Sequence, residues 1–73
     1  MTKYIVKEFK RGDCVRRAII TIPKGQHPKK VPSDSPIYSW PSGTRLFYES
    51  NGQEVGFLWK DKTGDMRITW HRL

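Results

Sequence analysis

The sequence contains one cysteine, Cys14, so no internal disulfide can form. A small domain that manages without one suits a reducing compartment, and a cytoplasmic location is the expectation. Metal ligands are also scarce: His27 and His71 are the only histidines, too few and too far from Cys14 for a zinc site, and no cofactor is expected. No apolar stretch approaches the roughly 20 residues of a membrane span. The opening Met1-Thr2-Lys3-Tyr4-Ile5-Val6-Lys7 breaks its apolar run too early for a signal peptide, so no membrane partner is expected. Phosphate-cradling patterns of the GxxxxGK or GxGxxG type do not occur.

Catalytic constellations are weak for the same reason. Cys14 with His27 or His71 is the one formal nucleophile pair, but nothing near Cys14 in the chain would lower its thiol pKa or build an oxyanion hole. Glu49 and Glu54 flank a turn where solvent holds both ionised, a poor setting for acid-base work. Arg11-Gly12-Asp13 matches an adhesive tripeptide but reads here as a hairpin turn. A non-enzymatic protein is the expectation.

What the chain does have is positive charge and aromatic rings. Its 73 residues hold 14 Lys and Arg against seven Asp and Glu, a net charge of +7, with three each of Trp, Tyr and Phe. A length of this order supports one domain with a thin core, which large rings can fill. The charge is uneven: residues 1 to 34 carry nine basic and three acidic side chains, whereas residues 35 to 73 carry five and four.

β-Branched and aromatic residues cluster in runs separated by Gly, Asn, Asp and Pro, which predicts a mainly β fold of about five antiparallel strands. Residues 3 to 22 read as a hairpin turning at Gly12-Asp13, which would set Glu8 opposite Arg17, Val6 opposite Ile19 and Ile5 opposite Ile20. Residues 44 to 73 read as a three-stranded meander, with a type I′ turn at Asn51-Gly52 and a four-residue loop Asp61-Lys62-Thr63-Gly64. That register pairs Tyr48 with Val55 and Leu46 with Phe57. It places Leu46, Tyr48, Val55, Phe57, Trp59, Met66, Ile68 and Trp70 in the core, with Phe47 and Leu58 as the large apolar side chains of the outer face. Phe47 would cover Gly56, and Glu49 would oppose Glu54.

Between these units lies a basic loop, residues 23 to 43, holding all five prolines. Its second half, from Ser33 to Trp40, is predicted to form one short helical turn that delivers Ile37, Tyr38 or Trp40 to the core. The architecture expected is an SH3-like or OB-like partly open barrel, with hairpin and meander packed face to face.

Cations interleaved with aromatics form the footprint of nucleic-acid binding. The candidate contacts are Lys10, Arg11, Arg16 and Arg17 on the hairpin, Lys24, Lys29 and Lys30 on the loop, and Arg45, Phe47 and Arg67 on the meander. The expected partner is DNA or RNA, held largely through phosphates. The competing expectation is a module or inhibitor that docks on an acidic protein, as a monomer or as a dimer through strand edges.

Overall fold

The computed structural model describes residues 1 to 71; the last two positions of the predicted meander lie outside the described residues. Five antiparallel strands, β1 (Thr2–Lys10), β2 (Asp13–Ile22), β3 (Arg45–Tyr48), β4 (Glu54–Lys60) and β5 (Met66–Trp70), form one sheet in the order β2-β1-β3-β4-β5. The mainly β expectation holds, and the described residues contain no helix. Hairpin and meander pack across one core, where the Tyr4 ring of β1 meets Trp70 of β5 (centroids 5.3 Å apart), and they are also joined edge to edge. β1 pairs directly with β3, from Tyr4 opposite Tyr48 to Lys7 opposite Arg45, so both units belong to one open, barrel-like sheet.

Each predicted register shifts by one residue, and each shift has a local cause. In the first hairpin the turn residues are Arg11 and Gly12, both in the left-handed region (φ 53° and 85°), as a type I′ turn requires. Glu8 therefore pairs with Arg16, Val6 with Ala18 and Ile5 with Ile19, and a bulge after Glu8 brings Phe9 opposite Cys14. In the second hairpin Gly52 has φ of 73° and Asn51 does not share that conformation, so the predicted type I′ turn is absent. Instead Gly52 N–H donates to Tyr48 O (2.8 Å), and Asn51 Oδ1 accepts from Gln53 N–H (2.9 Å). Leu46 meets Gly56, and a bulge leaves Val55 as an extra, buried residue before Phe47 meets Glu54.

The third turn contains five residues, because Asp61 organises it. Its Oδ1 accepts from Thr63 N–H (2.9 Å), Thr63 O–H (2.7 Å) and Asp65 N–H (3.0 Å), and its Oδ2 accepts from Arg67 Nε (2.8 Å). Those hydroxyl and guanidinium bonds hold the Asp61 carboxyl well below the usual carboxylate range. Lys60 then opposes Met66, Leu58 opposes Ile68, and Gly56 opposes Trp70. The backbone of β5 lies close over Gly56: a Cβ there would lie 2.4 Å from Thr69 O.

These registers invert β4 relative to the sequence reading. Leu58 is fully buried, whereas Phe57 and Trp59 turn to the other face. The core collects Tyr4, Val6, Ile22, Leu46, Val55, Leu58, Met66 and Ile68. Each fully buried aliphatic side chain among them contributes about 1.5–3 kcal/mol.

The loop from Pro23 to Gly43 closes this core. It leaves the end of β2 and pairs with the outer edge of β5, where Ile68 N–H donates to Lys29 O (3.0 Å) and Val31 N–H to Met66 O (2.9 Å). Trp70 Nε1 donates to Pro28 O (2.9 Å) and pins the same stretch. Successive turns, closed by Ser35 N–H to Pro32 O and Trp40 N–H to Ile37 O, replace the predicted helical turn. They still deliver Ile37 and Trp40 to the core as anticipated. The edge of β5 is thus covered, while among the described residues no strand or bridge pairs with the outer edge of β2.

Candidate functional site

Side chains alternate across a strand, so each register decides which residues share the face away from the core. On that outer face Lys7 of β1 is paired on one side with Arg17 of β2 and on the other with Arg45 of β3. Three cations therefore sit in one cross-strand row, on strands about 4.8 Å apart. Directly opposed like charges destabilise a sheet, by up to about 1 kcal/mol per pair. Within the chain, Lys7 and Arg45 lie against aromatic rings and Arg45 pairs with Glu54, while Arg17 has no carboxylate within ion-pair distance among the described residues.

Aromatic and aliphatic side chains flank it. On one side lie Ile19, Ile5 and Phe47, paired across β2, β1 and β3; on the other lies Phe9. Lys7 Nζ stands 4.9 Å from the Phe47 ring centroid, Arg45 stands 5.8 Å from that of Phe9, and the two rings meet edge to face at 6.3 Å. On β4 the surface continues with Phe57, directly opposite Arg45, and with Trp59, whose Nε1 donates to Thr69 Oγ1 (2.9 Å). Phe9 is 39% exposed, Trp59 37% and Ile19 61%, a large apolar area for one side of a small sheet.

Carboxylates are few here. Glu54 accepts from Arg45 Nη1 (3.2 Å) and lies 3.4 Å from His71 Nε2; it opposes Phe47 rather than Glu49, so the anticipated like-charge carboxylate pair does not form. No carboxylate lies within ion-pair distance of Lys7 or Arg17 among the described residues.

The predicted site residues divide into groups. Arg17, Arg45 and Phe47 come together at the centre of the outer face, joined by Lys7. Arg67 lies on the same face opposite Trp59, with its Nε held by Asp61. Lys29 borders the same shallow depression as Trp59, Arg67 and Thr69, beyond the β5 edge. Lys30 pairs loosely with Asp65 (3.8 Å). Lys10 and Arg11 project at the exposed hairpin tip, and Lys24 stands apart in the loop after β2.

Arg16 does not join them. It turns to the core face, where its Nε binds the carboxylate of Glu8, itself only 6% exposed, and its guanidinium covers the Trp40 ring at 4.3 Å. Leu58, expected outside, is buried, and Phe47 neighbours Glu54 rather than covering Gly56.

Phe9, Phe57 and Trp59 are the aromatic residues of the site that sequence reasoning missed. One signal was available: a glycine inside a strand marks close backbone approach. Placing Gly56 against a large core residue of β5 would have turned Leu58 inward and both rings outward. Comparison of the chain with protein-family models, curated proteins and solved structures returned no match.

Proposed function

We propose that the chain is a non-enzymatic nucleic-acid-binding module whose contact surface is the outer face of the sheet. The observation that carries this reading is the Arg17–Lys7–Arg45 row, three like charges on adjacent strands whose mutual repulsion an anion would relieve. A phosphate backbone supplies that anion, and the rings beside the row supply surface for sugar and base contacts. Arg67 and Lys29 extend the cationic track past Trp59, and Lys10 and Arg11 extend it at the hairpin tip. Lys24 and Lys30 contribute field rather than contact, and Arg16 serves the fold. The exposed free thiol of Cys14 suits the cytoplasmic setting that belongs to this reading.

The test is binding of labelled DNA and RNA, single-stranded and duplex, across a salt series. Affinity should fall steeply between about 50 and 200 mM salt. Absence of any complex at the lower salt would remove the reading. If an acidic protein binds this face while nucleic acid does not, the protein-docking alternative takes its place.

A further inference from the structure

We infer that the nucleic acid held on this face is single-stranded, with its backbone crossing the strands along the cation row and its bases lying on the exposed rings. This inference rests on the nucleic-acid reading above and narrows it to a ligand class.

Duplex and single-stranded nucleic acid offer different surfaces. A duplex presents phosphates outside and keeps base faces stacked within, so it would satisfy Arg17, Lys7 and Arg45 and leave the rings uncovered. A single strand offers phosphates and free π-faces together, and aromatic side chains beside cations are the surface that uses both. Here four rings accompany the row: Phe9 on β1, Phe47 on β3, and Phe57 and Trp59 on β4. They share one face with the cations and interleave with them, Lys7 near Phe47 and Arg45 near Phe9.

Geometry sets the direction and the length. Arg17, Lys7 and Arg45 lie on β2, β1 and β3 in one register row, so a backbone that follows them runs across the strands. Continuing in the same sense it reaches Phe57, directly opposite Arg45, and then Thr69 on β5, with Trp59, Arg67 and Lys29 alongside. Five strands span about 19 Å in that direction, and sheets of comparable width stack two or three bases. A site of about three nucleotides follows.

Trp59 is the ring best placed to report on this. It is among the more exposed aromatics, its indole N–H is held by Thr69, and Trp40 is buried on the other side of the sheet. The experiment uses the full chain with labelled oligothymidylate as the single strand and the same strand annealed to oligoadenylate as the duplex, at low salt. Fluorescence anisotropy gives affinity, and tryptophan emission reports stacking.

The expected result is single-strand binding at least about tenfold tighter than duplex binding, with quenching of tryptophan emission. Trp59→Leu should abolish most of that quenching and weaken single-strand binding about tenfold, while duplex binding changes little. Phe9→Leu provides the second arm if Trp59→Leu does not fold, and should weaken single-strand binding in the same selective way. Duplex binding equal to or tighter than single-strand binding, without quenching, overturns this inference and leaves the nucleic-acid reading standing. No binding of either probe overturns both.

Discussion

Arg16 and Arg17 are sequence neighbours on opposite faces of β2, and substituting each by alanine separates the fold from the proposed function. Arg16→Ala leaves the Glu8 side chain, 8% exposed, without its cation and strips the guanidinium from Trp40. Breaking a fully buried pair costs about 3–5 kcal/mol. The Arg16 side chain is 47% exposed, so solvent screens part of this interaction, and about 2 kcal/mol is the reasoned loss. For a domain of this size that lowers Tm by about 8–16 °C.

Arg17→Ala removes an exposed side chain with no carboxylate partner among the described residues, and stability should change by less than about 0.5 kcal/mol. It should nevertheless reduce the steepness of the salt dependence of single-strand binding by about 0.7, the share of one phosphate contact. Thermal melts followed by circular dichroism and anisotropy titrations at a temperature where both variants are folded give the two readouts. The reasoning fails if Arg17→Ala destabilises as much as Arg16→Ala, or if folded Arg16→Ala loses more affinity than Arg17→Ala.

Three further predictions test the fold itself. Leu58→Ala should cost about 2–5 kcal/mol, as for a buried leucine, and Phe57→Ala distinctly less; denaturant titrations giving the reverse order would mean that β4 faces the other way. Gly56→Ala sets a methyl 2.4 Å from Thr69 O and should destabilise by about 1–3 kcal/mol through forced separation of β4 and β5, visible as a lower melting temperature. Asp61 has a folded pKa below its unfolded value near 3.9, so its stabilisation is present above that value and disappears as pH falls toward the folded one. Acid unfolding of the wild type below about pH 4 should therefore be steeper than that of Asp61→Asn, which should be less stable than the wild type at neutral pH.

Much of the fold could be read in the sequence, including the buried faces of β3 and β5 with Leu46, Met66 and Ile68, whereas the face of β4 could not. Runs of β-branched and aromatic residues between glycine, asparagine and proline mark five strands, and the aromatic second half of the long loop marks a core contribution that Ile37 and Trp40 make. The stretches Tyr4-Ile5-Val6 and Val55-Gly56-Phe57-Leu58-Trp59, however, hold apolar residues at both parities, so burial alone cannot choose a side. The choice falls to local geometry that composition conceals. Arg11 occupies a left-handed position that seldom suits arginine, Val55 enters a bulge, and Asp61 gathers four bonds that set a five-residue loop.

The site depends on those same details. A shift of one residue would bury Phe57 and Trp59 and leave Phe47 with Leu58 outside. Pairing of β1 with β3 is a long-range contact that no local pattern announces, yet it brings Lys7 and Arg17 of the hairpin beside Arg45 of the meander. Arg17, Arg45 and Phe47 were legible as candidates, but their adjacency was not.

The row of three cations can be tested most directly by measuring the salt dependence of single-strand binding for the wild type and for the triple variant Lys7→Ala, Arg17→Ala, Arg45→Ala. Each phosphate contact on a single strand contributes about 0.7 to the slope of log affinity against log salt. The triple variant should lose about 2 from that slope while remaining folded by its melting curve. An unchanged slope in a folded triple variant would contradict it.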